Sequence, residues 1–302
     1  MGVTPHTDIP CGDWIDRFLP AQLRPYARLM RLDRPIGTWL LLLPCWWSVT
    51  LASEGFPSIT YLILFAFGAV LLRGAGCAIN DIYDRRLDAA VERTRSRPLP
   101  KGDITIWLAG GFVVFLLLAG LAVLLQFNNF TVWLGVASLA LVFTYPLAKR
   151  VTWWPQLVLG FTFNWGALMG WAAVHGELAA PAIILYVAGI FWTLGYDTIY
   201  AHQDKQDDAA IGIKSLALKL GNRSRPMIAL FYVLFFFLLT MAGLAAKIGT
   251  AYYLILFLAE LHAAWLLITW QPDEPASSLQ KFRANRDLGL IVFLALLTGR
   301  FL

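Results

Sequence analysis

The stretch that decides the fold is SITYLILFAFGAVLLRGAGCAINDIYDRRLD, residues 58–88. Up to Ile79 it is almost entirely apolar or small, and Arg73 is its one charge. Then Asn80, Asp81, Asp84 and Asp88 arrive together. About 20 apolar residues are what a helix needs to cross the hydrocarbon core of a bilayer. Within lipid a helix is also the one open-ended element that satisfies its own backbone. The stretch therefore predicts a membrane helix whose end carries four amide or carboxyl groups, which raises the question of what they hold.

The rest of the chain repeats the pattern. Of 302 residues, 59% are hydrophobic and 14% charged, against roughly a quarter charged in soluble domains. Nine apolar runs are candidate spans: 35–53, 58–80, 104–126, 130–148, 155–174, 179–200, 227–246, 250–270 and 287–302. The last is short. The segments before the first run and after the second, fourth, sixth and eighth hold 21 of the 24 Lys and Arg residues. Positive charge favours the cytoplasmic side, so these segments and the N-terminus are expected there. The fold class expected is an all-α multi-pass membrane protein. The net charge of +5 is assigned to membrane faces, not to nucleic acid. Cys11, Cys45 and Cys77 have neither disulfide nor metal spacing.

Two regions are expected: an N-terminal cytoplasmic or interfacial segment, 1–34, and a transmembrane domain, 35–302. Residues 13–35, DWIDRFLPAQLRPYARLMRLDRP, mix arginines with apolar residues as an interfacial amphipathic helix would. Residues 1–34 hold Pro5, Pro10, Pro20 and Pro25 and no apolar signal-peptide core. Lacking an acid-poor, Arg/Ser-rich leader as well, the chain is expected in a bacterial cell inner membrane, with its active site facing the cytoplasm.

Asn80, Asp84 and Asp88 follow an i, i+4, i+8 stripe, with Asp81 one step round. After the sixth span a second cluster follows, YDTIYAHQDKQDD, residues 196–208. There Asp204 and Asp208 are again four apart, and Asp207 lies beside them. Carboxylates at that spacing near a membrane must find cations or take up protons. A solvated acid cluster balanced by its own arginines would explain either one alone. Two clusters with one spacing, both after even-numbered spans, favour two halves of one site. Hard oxygen ligands of this kind suit Mg²⁺, which takes one or two carboxylates plus substrate phosphates and water. Nearby Arg and Lys then suit the remaining phosphate oxygens.

These motifs, Asn80–Asp88 and Asp204–Asp208, resemble the two aspartate motifs of the UbiA superfamily of intramembrane prenyltransferases. RLDRPIGTWLLLLPCWW (31–47), RPLPKGDI (97–104), TYPLAKR (144–150), GYDTIYAHQDKQDD (195–208) and GIKSLAL (212–218) resemble the branch acting on 4-hydroxybenzoate. The resemblance runs from about residue 24 to the C-terminus. It implies nine helices around a central cavity. It also implies transfer of a polyprenyl group from polyprenyl diphosphate to 4-hydroxybenzoate, ortho to the hydroxyl, in ubiquinone biosynthesis.

On that basis Mg²⁺ ligation is assigned to Asn80, Asp81, Asp84, Asp88, Asp204 and Asp208. Asp84, Asp88, Asp204, Asp208 and Arg150 are the expected catalytic groups. Arg93, Arg97, Lys101, Lys205 and Lys214 are candidates for the diphosphate. Arg150, Asp197 and Arg73 are candidates for the acceptor. Tyr83, Tyr145, Phe163, Trp165, Tyr196 and Tyr200 could face an allylic cation, although interface belts also use Trp and Tyr. Membrane lipid is the expected surrounding, and the isoprenoid tail is expected to leave sideways into it. Other aromatic acceptors, homogentisate or dihydroxynaphthoate, are the alternative. A secondary transporter with a divalent-cation site is the rival from another class. Transporters place such sites on broken helices near the midplane, often with inverted repeats; here both acidic clusters are expected at one surface, and no broken pair is expected.

Overall fold

Among the described residues the apolar runs lie in helix, the run 155–174 with an interruption. The computed structural model describes residues 9, 12–90, 94–205, 212 and 214–301, with the side chains of 145–147, 149 and 150 left aside. The helices are α1 (Trp14–Phe18), α2 (Arg24–Leu29), α3 (Ile36–Ala52), α4 (Ile59–Ala90), α5 (Pro98–Lys101), α6 (Ile106–Leu124) and α7 (Asn129–Val151). They continue with α8 (Pro155–Phe163), α9 (Trp165–His175), α10 (Ala180–Ala201), α11 (Leu216–Leu220), α12 (Ser224–Ala245), α13 (Ala251–Ile268) and α14 (Pro275–Phe301). No strand occurs among the described residues. Six helical stretches are long and apolar enough to cross a membrane, and two shorter apolar helices lie at Ile36–Ala52 and Asn129–Thr144.

Local chemistry sets the helix ends. Thr105 accepts from the Leu108 N–H, and Asn128 from the Thr131 N–H at 2.9 Å, which satisfies amides that helix starts leave unpaired. Pro98, Pro155 and Pro181 stand in first turns, where a missing N–H costs nothing. Gly176, at φ +73°, ends α9. The expected span 155–174 is not continuous: α8 stops at Asn164 and α9 begins after it. The Asn164 amide is fully buried and donates to the Gly160 carbonyl at 2.9 Å and to Thr193 Oγ1 at 2.8 Å. The break is thereby tied to α10 by one side chain.

The chain forms two compact units. The first comprises Met1–Thr38 and Ala66–Gln126. In it Leu29 of α2 packs with Ala78 and Ile79 of α4 and with Ala109 and Val113 of α6. The N-terminal segment is thus held against protein on one side, while Trp14, Phe18 and Leu23 stay exposed. The second unit comprises Trp39–Phe65 and Phe127–Leu302. Its centre is α10, flanked by α8, α9, α12 and α14. Small residues bring these helices close, as membrane packing requires. A Cβ at Gly170 would lie 2.6 Å from the Cys45 carbonyl, and one at Gly195 would lie 2.6 Å from the Tyr232 ring. Trp47 and Trp192, both fully buried, meet at a tilt with their rings 4.8 Å apart. Cys45 and Cys77 are free and buried.

Candidate active site

The first acidic motif belongs to the first unit. Sequence reading ends the second span at residue 80, but α4 runs on to Ala90, so the motif stands on rigid helix and not in a loop. At 3.6 residues per turn Asp84 lies about 40° round from Asn80, Asp88 about 80° and Asp81 about 100°. The stripe therefore drifts, and its last member turns toward Asp81. The contacts follow that drift. Arg97 Nη1 lies 2.9 Å from Asp88 Oδ2 and 3.4 Å from Asp81 Oδ1. Arg31 Nη2 lies 2.6 Å from the same Asp81 oxygen. Asp81 and Asp88 are buried, whereas Asn80 and Asp84 are partly accessible.

Local structure brings Arg97 to this place. Thr94 Oγ1 donates to the Asp88 carbonyl at 2.9 Å, turning the chain back on α4. Arg97 then caps α5, with Pro98 behind it. The expected diphosphate ligand Arg97 is thus engaged with two carboxylates. Lys101 is exposed and pairs with Asp103 at 3.0 Å. Arg93 lies outside the described residues.

Arg73 stands seven residues before Asn80, two turns back and within about 20° of the same face. Its guanidinium presses on Gly37, where a Cβ would lie 2.5 Å from Arg73 Nε. Asp33 is close in sequence to Gly37. Its side chain is closed to solvent, and Arg34 Nε is 3.7 Å away. Burial pushes its carboxyl above the usual range, opposed by Arg34 and Arg31.

The second motif belongs to the second unit. Asp197 is half-buried in the last turns of α10, and Asp204 and Lys205 lie just beyond it. Asp207 and Asp208 lie outside the described residues. His202 is buried edge-on to Trp270 at 4.9 Å. Burial, with Lys205 beside it, pulls its imidazole down to about 4, so the ring is neutral near pH 7. Tyr200 packs tilted against Phe282 at 4.6 Å, and Tyr196 meets the same ring at 5.9 Å. Asn285, fully buried, accepts from Trp192 Nε1 at 3.1 Å and from the Tyr232 hydroxyl at 2.9 Å. Lys214 Nζ donates to the Val151 carbonyl at 3.4 Å, beside the last turn of α7, which carries Lys149 and Arg150.

Among the described residues no three Asp, Glu, His or Cys side chains converge as a ready metal cage. The donors nevertheless fit Mg²⁺. Asn80 and Asp84 in the first unit, and separately Asp204 in the second, each offer side-chain oxygens, and hard oxygens are what Mg²⁺ takes, with few protein ligands beside phosphate and water. Of the other aromatics expected at the site, Tyr83 is exposed, Phe163 is buried, and Trp165 Nε1 donates to the Leu134 carbonyl at 2.9 Å. Tyr145 has no described side chain.

Sequence reading missed Arg31, Phe282 and Asn285. Arg31 was counted among the charges favouring one membrane face. No spacing rule connects it to Asp81, 50 residues on; the quoted stretch 31–47 was the one signal available.

A membrane-embedded helical chain with acidic motifs at the ends of helices defines a class, and comparison with known proteins gives its family. The model of the UbiA prenyltransferase family matches residues 41–297, and the chain belongs to that family. The 4-hydroxybenzoate polyprenyltransferase, mitochondrial, of Arabidopsis thaliana is 47% identical over 293 residues, spanning 96% of this chain and 72% of that protein. The human protein of the same description is 48% identical over 283 residues, 93% of this chain and 76% of that one. The structure of a UbiA homolog from Archaeoglobus fulgidus bound to GPP and Mg²⁺ shares the fold, with a TM-score of 0.68 at 18% identity. It covers 91% of this chain and 99% of that one.

These relatives correct one expectation. They are mitochondrial enzymes of eukaryotes, so a bacterial inner membrane is not supported. The composition of the residues before the first span does not identify the compartment. Family membership also displaces the transporter reading. The helix break at Asn164, which that reading would have wanted, is closed by its own side chain.

Proposed function

We propose that this chain transfers a polyprenyl group from polyprenyl diphosphate to the ring of 4-hydroxybenzoate, ortho to the hydroxyl, as a membrane step of ubiquinone biosynthesis. The observation that carries this is the 47% identity, over 96% of the chain, to an enzyme described by that reaction. Support from the geometry is the accessible Asn80–Asp84 face at the end of α4.

Asn80, Asp84, Asp204 and Asp208 are assigned to Mg²⁺. When bound, the ion supplies positive charge to diphosphate oxygens as the allylic C–O bond breaks. The archaeal homologue bound to GPP and Mg²⁺ supports that assignment. Lys205, Lys214 and Arg93 are assigned to the remaining diphosphate charge, and Lys101 to its loop partner Asp103. Arg73 and Arg150 are assigned to the acceptor carboxylate, and Asp197 to its hydroxyl. The Tyr196, Tyr200 and Phe282 rings exclude water from α10's end and offer π faces to a developing cation. We further propose nine membrane crossings, with residues 1–34 outside the bilayer core.

The test is to give the purified chain in nanodiscs geranyl diphosphate, Mg²⁺ and equal amounts of 4-hydroxybenzoate, homogentisate and dihydroxynaphthoate. Mass spectrometry and NMR should find geranyl on 4-hydroxybenzoate, beside its hydroxyl. Product on another acceptor alone would overturn the substrate assignment and leave the reaction class standing.

A further inference from the structure

We infer that Arg31 is a positioning residue for the first acidic motif, and that Asp81 is the anchor through which it acts and not a metal ligand. The inference rests on the reading of Asn80 and Asp84 as metal-binding groups. All its parts lie within the first unit.

The backbone at Arg31 is unusual. Helix α2 ends with Arg31 N–H bonded to the Arg28 carbonyl at 3.0 Å and Leu32 N–H bonded to the Ala27 carbonyl at 3.0 Å. That pair of bonds is the Schellman arrangement, whose left-handed position is usually glycine. Here the position is Arg31, at φ +59°. A side chain there costs on the order of 1 kcal/mol. Glycine would hold the same turn without strain, so the turn does not explain the arginine. Its guanidinium does something else: Nη2 lies 2.6 Å from Asp81 Oδ1, and Nη1 donates to the Arg28 carbonyl at 3.1 Å.

Packing fixes the turn against α4. Leu29 is fully buried with Ala78 and Ile79, immediately before the motif. Met30 packs where Gly74 has no side chain; a Cβ there would lie 2.7 Å from Met30 Cε. The end of α2 therefore has a fixed seat on α4, and Arg31 projects from it.

Asp81 is already engaged. Its side chain is 1% exposed, and its Oδ1 receives two guanidinium groups, from Arg31 and Arg97. A divalent ion would have to displace a short charge-assisted bond to use that oxygen, and the other oxygen, Oδ2, makes no hydrogen bond but is closed to solvent. Asp81 also stands about 100° round the helix from Asn80. Locking Asp81 on one side fixes the rotation of α4, and so the direction in which Asn80 and Asp84 face.

The experiment measures Mn²⁺ binding to the full chain in detergent by EPR, with a non-reactive prenyl diphosphate analogue present and no acceptor. Four variants are compared: Arg31→Gly, Arg31→Lys, Asp81→Asn and Arg31→Gly/Asp81→Asn. Arg31→Gly keeps the turn unstrained but leaves a buried carboxylate short of a partner; the double variant, which removes that charge, separates lost folding from lost positioning. Arg31→Gly should weaken Mn²⁺ binding about tenfold, the lower end for groups that orient metal ligands. Hydrogen exchange over residues 76–90 should rise, and Arg31→Lys should restore most of the affinity. Asp81→Asn should match Arg31→Gly, and the double variant should be no worse than either.

Unchanged or tighter Mn²⁺ binding in Arg31→Gly would overturn the inference, since a ligand held back by arginine would be released. So would an additive loss in the double variant. If the wild-type chain bound no Mn²⁺, the metal reading itself would fall and the inference with it. If wild type and Arg31→Gly bound alike, the positioning role alone would fall. Turnover on any particular acceptor does not enter.

Discussion

Asn80 and Asp88 show how far a spacing rule reaches at the residue scale. The i, i+4, i+8 pattern placed Asn80, Asp84 and Asp88 on one stripe. A helix of 3.6 residues per turn rotates that stripe about 40° at each step. Two steps carry Asp88 to Arg97 and to the face of Asp81. The pair Asn80 and Asp84 was legible because one step of drift is small. Arg31 was not, because nothing in local spacing reports a contact across 50 residues. Gly37 offers a test at the same scale. An added Cβ would lie 2.5 Å from Arg73 Nε, and Arg73 is the movable end of a flexible chain. Gly37→Ala should therefore displace Arg73 with little change in Tm. The KM for 4-hydroxybenzoate should rise about tenfold, the equivalent of ~1.4 kcal/mol. An unchanged acceptor KM would remove Arg73 from the acceptor site.

Helix ends were partly legible at the scale of elements, for a physical reason. Pro98, Pro155, Pro181 and Gly176 punctuate the chain where backbone rules demand it. The overrun of α4 to Ala90 was legible only in the i, i+4, i+8 spacing, which reads 80–88 as helix, while the polar run DIYDRRLDAA ended the apolar span at 80. Its helical form comes from packing: Ala78 and Ile79 with Leu29, and Asp88 with Arg97. The interruption at Asn164 was hidden for the opposite reason, being surrounded by apolar residues. Its amide carries the tie to Thr193 and the Gly160 carbonyl. Asn164→Ala should cost about 1–3 kcal/mol, the penalty for leaving buried polar groups unmade. Thermal unfolding in detergent should show a lower Tm. An unchanged Tm would mean that the break is held by packing alone.

For the whole molecule, composition named the solvent as lipid, and the helical architecture follows from it. The division into two compact units was not legible, since α3 and α4 each contribute residues to both. Within the second unit the chain end is tied down. Arg300 donates to the carbonyls of Leu51 and Ala246, and Gly249 N–H donates to the Gly299 carbonyl at 2.8 Å. His175 Nε2 meets the Ala52 carbonyl at 3.0 Å. The partners are carbonyls at helix ends, which have no internal donor. This gives Arg300, one of three basic residues off the positive face, a structural role. Arg300→Ala should lower Tm, while Arg300→Lys should recover part of the loss. Proteolysis should reach the C-terminal turn of α14 first. A wild-type Tm in Arg300→Ala would show that α13 and α14 hold that end without it.

The central claim is that acidic helix ends hold a divalent ion for prenyl transfer to an aromatic acid. Its most direct test is transfer of geranyl diphosphate to radiolabelled 4-hydroxybenzoate across a Mg²⁺ titration, with wild type, Asp84→Asn and Asp204→Asn in nanodiscs. The expected result is labelled product in wild type that EDTA abolishes and Mg²⁺ restores. Each variant should lose roughly 100-fold or more, as loss of a charge-stabilising group in a reaction centre does. Product formation that survives EDTA, or variants that turn over like wild type, would contradict it.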